Sequence, residues 1–191
     1  MRKITFDIET TNTFADVGSG NPTDLNIAVV AVHDSLTDEY SYYLQEDFPK
    51  LWKILESSDM LIGYNSDHFD IPLLNKYFPG ELTHIKSLDI LKEIQAGLGR
   101  RLKLDMVAEA TLGENKSGSG LESIRWWNDG QIQKVCDYCV QDVKVTKGIH
   151  DYALKHGKLK YKDLGKIKDI PISTENWEQK KEVVLTHTLP F

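Results

Sequence analysis

The hydrophobic pattern at the start of the chain has the two-residue period of β-strands. Residues 4–8 alternate apolar and polar side chains and predict a first strand. Residues 25–33 and 39–45 are rich in Val, Ala, Ile and Tyr, and the segment 34–38 between them is turn-like. They predict an antiparallel hairpin beside the first strand. The short apolar run at 60–64 is typical of a strand buried on both faces, as parallel sheets require.

Much of the remaining chain carries apolar residues at helical spacing. This pattern predicts helices over residues 49–55, 71–77, 87–95, 104–111, 121–127 and 131–155. Segments rich in Gly, Ser, Thr and Asn predict loops at 11–24 and 115–120. Strands followed by a helix, a buried strand and further helices indicate an α/β fold, with an antiparallel hairpin at one edge of the sheet.

The composition changes at His156, where lysines begin to alternate with apolar residues. The alternation predicts one or two short strands that pack onto the preceding domain. We therefore divide the chain into a domain at 1–155 and a lysine-rich C-terminal extension at 156–191. A lysine run most often forms a solvated face, and a docking element for a partner is the alternative.

The composition is that of one domain with a substantial core. The chain has 191 residues, of which 40% are hydrophobic. No apolar stretch is long enough to cross a membrane, and the N-terminus enters a strand without a signal peptide. We therefore expect a cytoplasmic protein with no membrane association. The two cysteines, Cys136 and Cys139, lie in a helical pattern, and we expect buried thiols rather than a zinc site or a disulfide framework.

Two carboxylates share one face of the first predicted strand. Side chains alternate along a strand, so Thr5, Asp7 and Glu9 point to the same side. Neighbouring like charges repel each other, and burial adds a desolvation cost. A divalent cation removes that cost, so the pair predicts half of a metal site. The formal net charge of −6 argues against a general nucleic-acid binder, and carboxylates gathered at a metal would account for part of it.

Two further aspartates are candidates for the other half of the site. Asp70 follows the buried strand and lies at the start of a predicted helix, where a simple N-cap is the alternative role. Asp142 lies in the late helix at the edge of its apolar face, a position that aspartate rarely takes without a partner. Tyr138 lies four residues before Asp142 and therefore on the same helical side.

These acids belong to three motifs that occur in order along the chain. The motifs are Phe6-Asp7-Ile8-Glu9-Thr10, Gly63-Tyr64-Asn65 with Phe69-Asp70-Ile71-Pro72, and Tyr138 through Asp142. The set resembles the DEDDy group of 3′–5′ exonucleases in the ribonuclease-H-like superfamily. The resemblance covers about residues 1–154 and does not include the tail. It implies a three-layer fold, with a mixed central sheet and helices on both faces.

The resemblance also implies a mechanism and its ligands. Two divalent cations, Mg²⁺ or Mn²⁺, would be held by four carboxylates: Asp7, Glu9, Asp70 and Asp142. Asp7 would bridge both ions, Glu9 and Asp142 would complete the tighter site, and Asp70 would hold the second ion largely through water. Tyr138 would orient the attacking water, and Glu9 would help to take its proton. The product would be a nucleoside 5′-monophosphate released from a 3′ end.

Substrate contacts in such a protein are expected near the first two motifs. The candidate substrate-binding residues are Thr10, Thr11, Asn65 and Phe69. The expected partner is a nucleic acid with a single-stranded 3′ end, and a helicase or polymerase is a candidate protein partner. The Tyr-x-x-x-Asp motif disfavours internal cutting of an RNA–DNA hybrid, and the complete acid set disfavours a non-catalytic binding module. No motif distinguishes DNA from RNA, because that choice depends on contacts to the 2′-hydroxyl.

Overall fold

The structure is a computed structural model that describes residues 1–114 and 118–179. A five-stranded mixed sheet has the order β3-β2-β1-β4-β5. The strands are β1 (Lys3–Thr10), β2 (Ile27–Asp34), β3 (Glu39–Tyr43), β4 (Met60–Gly63) and β5 (Lys86–Asp89). β1, β2 and β3 pair antiparallel, whereas β1, β4 and β5 pair parallel. The predicted hairpin and the predicted buried strand are therefore confirmed.

Helices lie on both sides of this sheet. They are α1 (Phe14–Val17), α2 (Phe48–Glu56), α3 (Asp70–Asn75), α4 (Ile90–Leu98), α5 (Leu104–Leu112), α6 (Gly120–Asn128) and α7 (Ile132–His156). The long helix α7 begins and ends within one residue of its prediction. Its length makes the helical period unambiguous, which explains the accuracy.

The alternation of β1 sorts its side chains between the two layers of helices. Ile4, Phe6 and Ile8 are buried in a cluster with leucines of α2 and α3. On the other side of the sheet, Ala28, Val29 and Ala31 of β2 pack against apolar residues of α7, including Cys136 and Cys139. Both cysteines are buried free thiols, as predicted. The α/β fold with three layers is thereby confirmed, and the polar face of β1 points towards α7.

Two local predictions are wrong. Residues 87–95 form no single helix, because β5 occupies Lys86–Asp89 and α4 begins at Ile90. β5 gains its ladder hydrogen bonds from β4, a long-range partner that local spacing cannot reveal. The segment 11–24 is not all loop, because it contains α1 and a short 3₁₀ turn. Thr13 and Asp16 form a capping box at the N-terminus of α1. In the predicted loop 115–120, residues 115–117 lie outside the described residues.

The segment after α7 forms an antiparallel hairpin of β6 (Lys158–Asp163) and β7 (Lys166–Pro171). Leu159, Tyr161, Ile170 and Trp177 are buried in one cluster with residues of β4, α4, α5 and α7. The short strands expected in this segment are therefore present and packed. The domain boundary at 155 stays a prediction, and residues 180–191 lie outside the described residues. Within the described residues, no helix combines the length and hydropathy needed to cross a membrane.

The backbone of β7 approaches α4 closely at Gly97. A Cβ atom placed on Gly97 would lie 2.2 Å from the carbonyl oxygen of Pro171. We expect Gly97→Ala to lower the free energy of unfolding by about 1–3 kcal/mol, although alanine normally favours a helix, because backbone must move to make room. The shift in Tm is measured by thermal denaturation.

A helical glycine with a softer neighbour serves as the control for this substitution. A Cβ atom on Gly148, in α7, would meet only the side chain of Leu112, at 3.0 Å, which can rotate away. Gly148→Ala should therefore leave Tm unchanged or raise it slightly. An unaltered Tm in Gly97→Ala would show that β7 does not pack on α4 in this way.

Candidate metal centre

Three carboxylates from two distant parts of the chain meet beside the sheet. Asp7 and Glu9 come from β1, and Asp142 comes from α7. One oxygen of each carboxylate lies within 4.8 Å of the others. Glu9 and Asp142 are buried and Asp7 is half-buried. The pairing of β1 with β2 shifts register between Glu9 and Thr10, so a bulge ends the regular ladder next to these acids.

A thiol links the helix to the strand at this point. The Cys139 Sγ atom lies 3.3 Å from the Asp7 carbonyl oxygen and 3.6 Å from its Oδ2 atom. Burial raises the pKa of the Cys139 thiol well above its ordinary value, and the nearby charge of Asp7 adds to the effect. The thiol therefore stays protonated and donates to Asp7. Sequence reasoning treated Cys139 only as packing, since its spacing carries no sign of this contact.

Tyr138 lies on the same helix, one turn before Asp142. It is buried, and the ring of Trp126 from α6 meets its ring edge-on, with 5.7 Å between centroids. The backbone of Gly118 packs closely against both rings. A Cβ atom there would lie only 2.9 Å from Trp126 and 3.2 Å from Tyr138. The tyrosine predicted to orient water is thus held by packing from α6 and from the segment before it.

Asp70 lies in the first turn of α3 and is not one of the three acids that meet within 4.8 Å. It is the first helical residue, and Phe69 occupies the N-cap position, so the simple N-cap role is not what the structure shows. Burial, together with the charges of Asp89 and Glu9, raises the pKa of Asp70 to about 8. Asp70 therefore lies close enough to Glu9 for the charge of Glu9 to affect the pKa of Asp70.

Asp89 organises the turn that carries the second motif, and sequence reasoning missed it. Its buried carboxylate accepts hydrogen bonds from the backbone N–H groups of Asn65, at 2.8 Å, and Asp67, at 3.2 Å. It also caps α4 through the N–H of Leu91. Asn65 has a left-handed backbone with φ of 67°, which asparagine tolerates better than most residues. An aspartate at a strand-to-helix junction was the available signal, hidden by the wrong helix at 87–95.

A groove of about 490 Å³ opens next to Glu9. Its lining includes Thr10, Phe14 and Phe69, and the two phenylalanine rings meet edge-on with centroids 6.1 Å apart. Two predicted substrate residues, Thr10 and Phe69, therefore face the same space. Thr11 lies apart from this lining, and its backbone N–H donates to the carbonyl oxygen of Asn26. Asn65 lines a neighbouring groove.

The donor set fits a hard divalent cation. Mg²⁺ and Mn²⁺ prefer carboxylate oxygens, and three such groups converge here, of which Glu9 and Asp142 are buried. Without a cation, these three like charges would repel one another, and the two buried ones would also pay a desolvation cost. Asp7, Glu9 and Asp142 are thus the residues that could hold a divalent metal, with Asp70 next to them.

The raised pKa of Asp70 predicts how stability and metal binding depend on pH. Between the ordinary Asp value of 3.8 and about 8, the folded protein keeps a proton that the unfolded chain has lost. The free energy of unfolding should therefore fall as pH rises through this window when EDTA removes metal. Because a cation must displace that proton, Mn²⁺ should raise Tm more at pH 8.5 than at pH 6.

The variant Asp70→Asn isolates this titration. It removes the ionisable group and keeps the size of the side chain, so the pH-dependent fall in Tm should be smaller than in the native protein. Thermal denaturation in EDTA at several pH values measures the difference. Identical pH profiles for the two proteins would show that Asp70 is not the titrating group.

Comparisons with known proteins agree with this architecture. A family model described as RNase H superfamily matches residues 4–154. Among curated proteins, no sequence matches significantly. The structure is similar to that of the family B DNA polymerase from the hyperthermophilic archaeon Pyrobaculum calidifontis, with a TM-score of 0.61 and 21% sequence identity. The match covers 81% of this chain and 24% of the polymerase, so the two share a fold over about a quarter of that protein.

Proposed function

The chain belongs to the RNase H superfamily, and we propose that it is a metal-dependent 3′–5′ exonuclease of DNA or RNA. The superfamily and the acid cluster support nuclease activity in general. The observation that carries the narrower proposal is the convergence of Asp7, Glu9 and Asp142 within 4.8 Å, with Tyr138 one helical turn from Asp142. The products would be nucleoside 5′-monophosphates.

The four carboxylates have the role of metal ligands in this proposal. Asp7, Glu9 and Asp142 would hold one divalent cation, and Asp70 would take part in holding a second. Mg²⁺ or Mn²⁺ ions bound there would polarise a phosphodiester and lower the pKa of a bound water. The burial of Glu9 and Asp142 keeps bulk water away and strengthens the electrostatic interactions of the site.

Tyr138 would position the water that attacks the phosphodiester. Its ring is buried and packs against Trp126, which restricts the positions that its hydroxyl can take. A fixed hydrogen-bonding group lowers the entropic cost of bringing the water to the phosphorus atom. Glu9 would accept the proton of that water, because its carboxylate belongs to the same cluster.

The groove next to Glu9 would receive the terminal nucleotide. The rings of Phe14 and Phe69 offer apolar surface for a base, and base–aromatic contacts do not require a particular sequence. Thr10 lies at the junction of this groove and the acids, where its hydroxyl donates to the carbonyl oxygen of Asn12. A single-stranded 3′ end suits these contacts because its last base is unpaired. Asn65 and Thr11 stay candidate substrate contacts.

Product analysis on end-labelled strands tests the proposal. DNA and RNA oligonucleotides carrying a 5′ label should yield a ladder of products shortened one nucleotide at a time in Mg²⁺ or Mn²⁺. The same strands carrying a 3′ label should release only labelled mononucleotide. Paired and single strands of both sugars would identify the preferred substrate, and Asp7→Asn is the inactive control.

Two results would contradict this function. Internal fragments from the 3′-labelled strand would indicate an endonuclease. No hydrolysis of any strand, combined with binding of the strand, would favour a non-catalytic module of the same fold. A helicase or polymerase as protein partner is part of the proposal, supported only by the likeness to a segment of a DNA polymerase.

A further inference from the structure

A second groove has a volume of about 610 Å³. The loop between α4 and α5, residues 99–103, forms one wall, and Tyr64 and Asn65 form part of the other. Both grooves include Lys103, Ser119 and Gly120 in their linings. They are therefore contiguous, and a chain-like ligand could run from one into the other.

The loop concentrates positive charge in a protein whose net charge is −6. Arg100, Arg101 and Lys103 lie within four consecutive positions, and all three are exposed. Lysines of the β6–β7 hairpin lie in ion pairs, such as Lys158 with Asp169 and Lys168 with Asp163. The positive charges of the loop are therefore more available to a ligand than those of the paired hairpin lysines.

The two arginines are held by neutral groups. The Arg101 guanidinium donates to the Asn65 side-chain oxygen, and the Arg100 guanidinium lies 5.3 Å from the ring centroid of Tyr161 in β6. Within the described residues, neither guanidinium has a carboxylate within ion-pair distance of 4.0 Å. Each arginine is thus oriented by an uncharged neighbour and keeps N–H donors for a phosphate, and the charge of Arg100 also contributes to the lowered pKa of the Asp163 carboxyl.

We infer that the α4–α5 loop binds the sugar-phosphate backbone of the nucleotides that precede the 3′ end. This inference rests on the proposed function, since the 3′ nucleotide would occupy the groove next to Glu9. The strand that leads to it then has a continuous path past Lys103 into the second groove. Arg101 and Arg100 face that path and would each contact a phosphate without reading the base.

Binding of labelled strands tests this role independently of catalysis. The double variant Arg100→Ala/Arg101→Ala should bind a 5′-fluorescein-labelled 12-nucleotide single strand at least about tenfold more weakly in EDTA, by fluorescence anisotropy. The slope of log affinity against log salt should decrease in magnitude by about 1.4, from two phosphate contacts at about 0.7 each. The double variant Lys50→Ala/Lys53→Ala on α2 removes the same charge and should change neither quantity much.

Kinetics in Mg²⁺ or Mn²⁺ separate a strand contact from a catalytic defect. The arginine variant should raise KM for the 12-nucleotide strand and leave hydrolysis of the p-nitrophenyl ester of thymidine 5′-phosphate within twofold of the native rate. That small ester reaches the metal centre and has no preceding phosphates.

Several outcomes would overturn the inference. One is an arginine variant whose strand affinity and salt slope are unchanged. Another is an α2 variant that loses as much strand affinity as the arginine variant. A third is an arginine variant that loses as much affinity for thymidine 5′-monophosphate as for the strand, which would indicate a site for free nucleotides. An inactive native protein whose strand binding still depends on the arginines would refute the exonuclease and leave the strand-binding loop intact.

Discussion

Asp142→Asn is expected to lower kcat/KM for a single-stranded oligonucleotide by at least about 10³-fold. The change removes one of three charges that meet within 4.8 Å and keeps the shape of the side chain. A metal ion contributes several kcal/mol to charge stabilisation in the transition state, and each 1.4 kcal/mol corresponds to about tenfold in rate. Asp7→Asn should have an effect of the same size, because Asp7 belongs to the same cluster.

Asp142→Asn should lower activity, but it should not lower thermal stability when metal is absent. In EDTA the native protein carries three converging carboxylates, so removing one charge relieves repulsion and should keep or raise Tm. Added Mn²⁺ should stabilise the native protein more than the variant. Opposite effects on activity and on metal-free stability are a signature of a metal site, which a simple folding defect would not produce.

Asp137→Asn is the matched control for this prediction. Asp137 lies on the same helix, is exposed, and accepts a hydrogen bond from Gln133 on the outer face. Its substitution should leave the oligonucleotide assay within twofold of the native rate. The proposed centre would be refuted by an Asp142→Asn protein that keeps more than a tenth of the native activity.

Tyr138→Phe should lower kcat by about 10²-fold and leave KM for the oligonucleotide within twofold. The ring and its contact with Trp126 remain, so only the hydroxyl that would orient water is lost. Loss of one positioned group in the transition state affects the rate without affecting ground-state binding. Steady-state kinetics with Mg²⁺ and with Mn²⁺ measure both parameters.

A second tyrosine on α7 shows whether the effect is specific. Tyr152 lies further along the helix, beside His156, and away from the three acids. Tyr152→Phe should leave kcat unchanged. If Tyr138→Phe raised KM as much as it lowered kcat, the hydroxyl would act in substrate binding rather than in the positioning of water.

Much of the fold was predictable because strong local periods agreed with the tertiary arrangement. β1 alternates over its length, and its partition into an apolar face and an acidic face is what the structure shows. The 25 residues of α7 make its helical period clear, so the shared side of Tyr138 and Asp142 could be assigned. The three motifs, taken in order, then indicated a superfamily that the family match confirms.

Other features depended on partners far along the chain. β5 is four residues long, and its pairing with β4 decides its conformation, so residues 87–95 were predicted as helix. The role of Asp89 was missed for the same reason, because Asp89 lies in the segment predicted as helix. The contact of Cys139 with Asp7 joins residues 132 positions apart, and no spacing rule connects them. The basic loop with Arg100 and Arg101 is a candidate site only because the two grooves adjoin, which the tertiary structure decides.

The sequence by itself determined which acidic residues are candidates for the site and which face of β1 and α7 they occupy, because side-chain direction follows from the local periods of strands and helices. The tertiary structure alone decided that the acids of β1 and α7 meet within 4.8 Å, that Asp70 lies outside this group, and that a groove opens next to Glu9 with a second groove adjoining the first. Those distances depend on how the layers pack, and packing is set by contacts between residues remote in the chain.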